Sequence, residues 1–116
     1  MRIAVTCLAA FSVGMSLAWS QEATTQEDLR QGHQLAAMFC GNCHLAAPDQ
    51  PNEPVLNPPA PSFASIAQRK GIDPGSLQKF LATTHRGLDK PNGMPYPNLA
   101  DYQVKQVIAY ILSLRK

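Results

Sequence analysis

The sequence lacks a strong charge of either sign, and this excludes several classes of partner. Ten Lys and Arg residues stand against eight Asp and Glu residues, so the formal net charge is only +2 over 116 residues. Nucleic-acid-binding domains usually carry a strongly basic face, because binding releases counterions from the phosphates. We therefore expect no nucleic-acid partner. Basic residues do gather between residues 69 and 90 and could steer an acidic partner, but we favour an ordinary solvated surface.

Long apolar runs are also missing, except at the N-terminus. Residues 3–19 are almost all apolar or small, Arg2 precedes them, and Ala18-Trp19-Ser20 places small residues where a signal peptidase needs them. The run is too short for a confident membrane span, although a retained anchor is the alternative. We expect residues 1–20 to be a signal peptide that is removed. Residues 21–116 would then be one small exported domain without stable membrane insertion.

The sequence shows no strand pattern of any length, and its apolar residues recur instead at helical spacing. The pattern predicts a first helix from a cap at Thr24 or Thr25 to about Cys40, with Leu29, Leu35, Ala36 and Phe39 facing inward. Three more helices are predicted over residues 62–68, 73–87 and 101–114. A loop at 46–61 holds six of the ten prolines, and a second loop spans 88–98. The fold class is all-α, with three to four short helices and long loops.

Cysteine is scarce, and its placement is the most informative feature of the chain. Of the three cysteines, Cys7 lies in the predicted signal peptide, and the other two belong to the run Cys40-Gly41-Asn42-Cys43-His44. This C-x-x-C-H pattern is typical of covalent attachment of a c-type haem. Two thiols three positions apart can each add across one haem vinyl group, and the next residue places an imidazole at the iron. We expect Cys40 and Cys43 to form thioethers and His44 to be the proximal ligand.

Two other interpretations of the motif are weaker. A structural zinc site needs four ligands, but the chain has no second C-x-x-C and no H-x-x-x-H pair. A thioredoxin-like dithiol belongs next to a βαβ pattern, whereas here a helical run precedes the motif and a proline-rich loop follows it. One covalent haem c per chain is therefore expected. A domain this small can bury only a little apolar surface of its own, and an enclosed haem would enlarge its hydrophobic core.

The second axial ligand of the iron is predicted to be Met94. Met38 lies two residues before Cys40 and cannot reach around the ring, whereas Met94 lies between Gly93 and Pro95 in a stiff loop. His85 is the rival, and bis-His ligation would lower the reduction potential. We prefer a helix-end or propionate-facing role for His85, and we expect His33 to be a surface residue. The metal ligands are thus predicted to be His44 and Met94.

With these residues placed, the chain resembles the class I cytochromes c of bacteria over essentially all of residues 21–116. The resemblance rests on three motifs, which are Gly32 eight residues before Cys40, the haem motif itself, and Gly93-Met94-Pro95 followed by the final helix. It implies a small cytochrome c fold wrapped around the haem. It also implies that Gly32 packs against the last helix near Tyr110, and that the carbonyl of Pro61 accepts the Nδ1–H of His44.

Ala36 departs from the family pattern, which often has an aromatic residue there, and we expect Phe39 to fill the helix crossing instead. A haem with both axial positions filled, and no general acid or base set beside it, indicates single-electron transfer between redox proteins and no enzymatic activity. The chain would be a free periplasmic carrier or, alternatively, an electron-accepting subunit of an oxidising enzyme. A sensory or catalytic haem without Met94 as ligand is the third hypothesis.

Overall fold

The fold is taken from a computed structural model, which describes residues 17–83 and 93–116, with side chains from residue 26 onward. Within these ranges the chain forms helices α1 (Leu17–Leu35), α2 (Phe63–Ala67), α3 (Pro74–Thr83) and α4 (Asp101–Ser113). A π-helical turn, Ala36–Cys40, follows α1 directly. An isolated parallel bridge between His44 and Ala60 is the only β-type pairing in the described part of the chain. The all-α prediction is confirmed.

Helix α1 begins earlier than the sequence pattern predicts. It starts at Leu17, so Thr24 and Thr25 lie inside the helix and do not cap it. The residues before Thr24 include Ala, Gln and Glu, which are good helix formers, and helical structure continues through them. Glu27, predicted to close a capping box, instead accepts a hydrogen bond from Gln31 Nε2 (2.7 Å) and pairs with Arg30. The predicted end near Cys40 is confirmed, because the π-helical turn reaches that residue.

Helices α1 and α4 cross at Gly32, as the resemblance implied. A Cβ atom at Gly32 would lie 2.0 Å from the Gln106 carbonyl oxygen and 2.9 Å from Tyr110 Cβ. The two backbones can approach this closely only because residue 32 has no side chain. Near the crossing, Gln106 Nε2 donates a hydrogen bond to Asp28 Oδ1 (3.0 Å).

The shorter helices α2 and α3 begin within one residue of their predicted starts, and each has a capping side chain. Ser62 precedes α2 and accepts a hydrogen bond from the Ser65 backbone N–H on its hydroxyl (3.1 Å). Asp73 precedes α3, where its Oδ1 accepts from the Ser76 N–H (2.7 Å). Such caps satisfy backbone donors that a helix leaves unpaired at its first turn. Residues 84–92, which include the predicted end of α3, lie outside the described residues.

A C-terminal clamp holds α4 against the segment that joins α2 to α3. Arg115 Nε donates to the Ala67 carbonyl (3.1 Å), and the same guanidinium donates to the Ile72 carbonyl. Gln68 Nε2 donates to the Leu114 carbonyl (3.0 Å). These bonds satisfy carbonyls at the ends of short helices, which otherwise lack partners.

The polypeptide core is thin, as expected for a chain that encloses a large cofactor. Val107 is the largest described side chain that is fully buried, and much of the remaining core is alanine. Two large aromatic side chains are half-exposed, namely Phe39 at 50%, which was predicted to face inward, and Phe80 at 43%. Among the described residues, no helix is both long and apolar enough to cross a membrane.

The Gly32 contact generates a prediction about stability. Gly32→Ala gains about 1 kcal/mol of helix propensity. It also forces a methyl group against the α4 backbone, and overpacking of this kind costs about 1–3 kcal/mol or more. Because the clash is with backbone atoms, we expect a cost at the upper end of this range and a net destabilisation of about 2 kcal/mol, measured by guanidinium unfolding of the haem-loaded protein. Gly75→Ala is the control, since its Cβ would meet only Asp73 Oδ1 at 3.4 Å; equal stability of the two variants would contradict the close crossing.

Candidate cofactor site

The three motif residues lie together on one wall of a cleft. The π-helical turn delivers Cys40, and a single tight turn follows, in which the Cys40 carbonyl accepts from the Cys43 N–H (3.1 Å) and the His44 N–H (2.9 Å). The cleft is lined by Phe39, Cys40, Cys43, His44, Met94, Pro95, Tyr96 and Pro97. The structure therefore brings together all four predicted site residues, with the Met94 loop forming the other wall.

Gly41 is required by the tightness of this turn. A Cβ atom at residue 41 would lie 2.4 Å from the Ala37 carbonyl oxygen. A side chain there would push the motif away from the helix that carries it. The close contact with the Ala37 carbonyl thus restricts the first variable position of C-x-x-C-H to glycine in this chain.

His44 is held by a hydrogen bond that also sets its tautomer. Its Nδ1 lies 2.7 Å from the Pro61 carbonyl oxygen, and the residue is buried. Because a carbonyl can only accept, Nδ1 must carry the proton, and Nε2 keeps its lone pair for a metal. The Phe63 ring packs on the imidazole, with centroids 5.4 Å apart. The structure contains the Pro61 contact that the resemblance implied; the contribution of Phe63 was missed, although it follows Pro61 by only two residues.

The proline-rich loop binds the backbone of the motif. Val55 N–H donates to the Asn42 carbonyl and Ala60 N–H to the Cys43 carbonyl, both at 2.9 Å. Phe63 N–H donates to the Leu45 carbonyl at 3.1 Å. The loop thus wraps the His44 side of the cleft.

The cleft is chemically suited to an apolar macrocycle with an iron centre. None of its described lining residues is charged, and the donor set offers two thiols, an imidazole and a thioether. Burial, with a smaller effect from Cys43, raises the pKa of Cys40 to about 11. At neutral pH this side chain is therefore an uncharged thiol, which suits an apolar wall. The residues fit a haem attached through two thioethers.

The second wall contains the predicted distal ligand and an aromatic residue that the sequence reasoning missed. Met94 is half-buried and packs against the core. Tyr96 also lines the cleft. The feature of the sequence that could have identified Tyr96 is its position between two prolines directly after Met94. Met38 is 70% exposed and does not line the cleft, in agreement with its exclusion. His85 lies outside the described residues.

His33 lies at the surface, as the sequence predicted, with 33% of its side chain exposed, and it makes two contacts there. Its Nε2 lies 2.6 Å from Asp49 Oδ1, and its ring meets Tyr110 edge to face with centroids 5.2 Å apart. The loop after the motif folds back over α1 and places Asp49 beside it. Phe39, expected to fill the helix crossing, lies in the cleft wall instead.

No group of three or more His, Cys, Asp or Glu side chains forms a metal cluster in the described part of the chain, so no structural zinc site appears there.

Comparisons with known proteins agree with this geometry. The family model for cytochrome c matches residues 29–115. The chain is 33% identical over 101 residues to cytochrome c-552 of Bradyrhizobium diazoefficiens, an alignment that covers 87% of this chain and 88% of that protein. No solved structure matches the chain at a significant level.

The His33 contact generates a prediction about pH. The hydrogen bond to His33 lowers the pKa of Asp49 below its usual value. A lowered pKa in the folded protein means that the ionised carboxylate stabilises the fold above pH 4 or so, and that this contribution disappears as the pH falls through the lowered pKa. Asp49→Asn should therefore reduce stability at pH 7, and its difference from the unaltered protein should shrink as the pH falls below 4 or so.

The measurement is guanidinium unfolding of the haem-loaded protein at pH 7 and at successively lower pH values over which it stays folded. Glu53→Gln is the matched control, because it removes the same charge from the same loop. A loss of stability in Asp49→Asn that does not shrink as the pH falls would contradict the role of the carboxylate charge.

Proposed function

The chain belongs to the cytochrome c family, whose members bind haem c covalently and transfer electrons, and from that premise we propose that it is a periplasmic single-electron carrier with His44 and Met94 as iron ligands. The haem supplies the one-electron couple. Cys40 and Cys43 would hold it through thioethers, and His44 and Met94 would supply the protein ligands of its iron. The chain acts on no substrate in this proposal.

The observation that carries the proposal is the composition of the cleft. Residues from two distant parts of the sequence, the motif at 40–44 and the loop at 93–97, line one space. An imidazole with a free Nε2 lies on one side, and a thioether lies on the other. A His/Met pair favours a relatively high reduction potential, and apolar walls act in the same direction because they disfavour the extra charge of the ferric state.

Filling both axial positions suits electron transfer. An iron with two protein ligands changes little in geometry between oxidation states, and its substrate positions are closed. Cys40, His44 and Pro61 belong to a network of short backbone contacts that stiffens the proximal side. A rigid site of this kind is suited to a shuttle that repeatedly gains and loses one electron.

The alternative is a cytochrome subunit that accepts electrons within a periplasmic dehydrogenase or other oxidising enzyme. Exposed apolar side chains on the proline-rich loop favour it, since Val55 is 78% exposed and Leu56 is 40% exposed. Such residues are frequent at contacts between proteins. Purification separates the two functions, because a free carrier elutes alone and a subunit elutes with its enzyme.

The proposal also includes export of the chain across the cytoplasmic membrane. Residues 1–20 carry the features of a signal peptide, and haem attachment of this type takes place outside the cytoplasmic membrane. We propose that the working protein is residues 21–116 in the periplasm.

The covalent attachment and the processing can be tested in one measurement. Intact-mass analysis of the periplasmic protein under denaturing conditions should show a chain beginning near Gln21 with one haem added. The haem should resist acid-acetone extraction, because two thioethers hold it. Cys40→Ser and Cys43→Ser should each leave a single thioether, visible in the pyridine haemochrome spectrum. Haem that is extracted from the unaltered protein would contradict attachment, and a membrane-bound chain retaining Cys7 would contradict processing.

The ligand assignment is tested by comparing Met94→Ala with His85→Ala. The oxidised protein should show the weak sulfur-to-iron band at the red end of the spectrum that the family's His/Met haems display. Met94→Ala should abolish this band, lower the reduction potential and open the iron to cyanide or carbon monoxide. His85→Ala should leave all three properties nearly unchanged.

The reverse pattern would make His85 the ligand and the carrier a lower-potential one. If neither substitution alters the spectrum, the iron has a single protein ligand at rest. The third hypothesis, a sensory or catalytic haem, would then replace the carrier.

A further inference from the structure

The side chain of Gln50 lies inside the loop that follows the haem motif and bonds to backbone groups on both sides of it. Its Oε1 accepts from the N–H groups of Ala46 (2.8 Å) and Ala47 (3.1 Å). Its Nε2 donates to the carbonyls of Gly41 (3.2 Å) and Asn52 (2.7 Å), with a longer contact to the His44 carbonyl (3.4 Å). One amide group therefore connects the motif to the loop that wraps it.

The two alanines depend on this side chain. Ala46 and Ala47 are each 1% exposed, so water has little access to their backbone. They lie outside any helix, and among the described residues Gln50 is the acceptor for both N–H groups. A buried N–H without a partner costs about 1–3 kcal/mol. Removal of the Gln50 amide would therefore release this segment from its place against the motif.

Two backbone carbonyls near the haem motif also depend on the Gln50 side chain for a hydrogen-bond partner. Every backbone carbonyl from residue 40 to residue 45 has a donor in the structure. Backbone N–H groups supply the bonds to Cys40, Asn42, Cys43 and Leu45. The carbonyls of Gly41 and His44 instead receive a side chain, and it is that of Gln50 in both cases. Gln50 thus completes a hydrogen-bonded frame that is otherwise made of backbone alone.

We propose that Gln50 is a positioning residue for the haem ligand, because its amide fixes the backbone of the attachment turn at Gly41 and His44 and thereby the direction of the His44 imidazole. This inference rests on the proposed role of His44 as iron ligand. The Pro61 carbonyl fixes the rotation of the imidazole ring through its hydrogen bond to Nδ1. The Gln50 amide fixes the backbone of His44, from which the ring projects.

The chemistry of the site requires an amide. Two N–H groups need an acceptor and two to three carbonyls need a donor within one side chain. Ser, Thr, Tyr and neutral His can donate only one hydrogen, whereas the amide of Asn or Gln combines an acceptor oxygen with two donor hydrogens. A glutamate at residue 50 could still accept from Ala46 and Ala47, but its carboxylate would face the Gly41 and Asn52 carbonyl oxygens. A methionine would fill the same space and make none of these bonds.

The first test uses the unaltered haem-loaded protein and needs no substitution. Hydrogen exchange followed by NMR should show the amides of Ala46 and Ala47 protected nearly as strongly as those at the centre of α4, even though they lie in a loop. Exchange at the rate of an open loop would overturn the proposal, whatever binds the iron.

The second test separates positioning from simple stabilisation. Gln50→Met and Gln50→Glu should change the haem-methyl shift pattern in the NMR spectrum of the oxidised protein, which reports ligand orientation, and should lower the reduction potential as water reaches the loosened turn. Gln68→Met is the matched control, since Gln68 also donates to a backbone carbonyl, that of Leu114, at the far end of α4. It should reduce stability and leave the haem signals unchanged.

If Gln50→Met behaves as Gln68→Met does, with lower stability and unchanged haem signals, Gln50 is structural only and the proposal is wrong. The result is independent of the distal ligand. Failure of the Met94 assignment would appear as an unchanged red band in Met94→Ala, which neither Gln50 variant tests.

Discussion

The hydrogen bond from His44 Nδ1 to the Pro61 carbonyl, 2.7 Å long, connects the haem motif to a residue seventeen positions later and determines much of the remaining architecture. For the bond to form, the intervening chain must leave the motif, turn and return to it. The proline-rich loop does so with its backbone N–H groups facing the motif carbonyls. Helix α2 then begins at Phe63, directly after this return, and places its first aromatic ring against the imidazole. The proximal side is therefore one connected unit from residue 40 to residue 63.

The distal side depends on the crossing of α1 and α4. Gly32 allows the two helices to touch at backbone distance, and α4 in turn receives α2 and α3 along its buried face. The Arg115 guanidinium closes the far end of this arrangement by binding the carbonyls of Ala67 and Ile72. The Met94 loop immediately precedes α4, so the position of α4 limits where the thioether can lie. In this chain, a contact between two helices thus helps to place the segment that contributes Met94 to the cleft.

Much of this could be predicted from sequence because the relevant signals are local. The haem motif is a short pattern with one dominant chemical interpretation, and the starts of α2 near Ser62 and of α3 near Asp73 follow from residue type and spacing. The early start of α1, the contacts of His33 with Asp49 and Tyr110, and the bonds of Gln50 were not predicted. His33 and Gln50 obtain their partners through the fold of the proline-rich loop, and a loop held by side-chain to backbone bonds leaves no periodic trace in the sequence. Phe39 was misplaced because helical spacing assigns a face and does not distinguish a helix contact from a cofactor cleft.

The central claim is that Met94 lies over the haem face opposite His44, and proton NMR of the reduced protein tests it most directly. Residues 21–116 contain two methionines, Met38 and Met94, so labelling of methionine methyl groups gives two signals to assign. A methyl group held against the haem face is shielded by the ring current of the macrocycle. The account predicts that the Met94 methyl resonance lies far upfield of the ordinary methyl range, while that of Met38 stays within it. Two methyl resonances in the ordinary range would contradict the account.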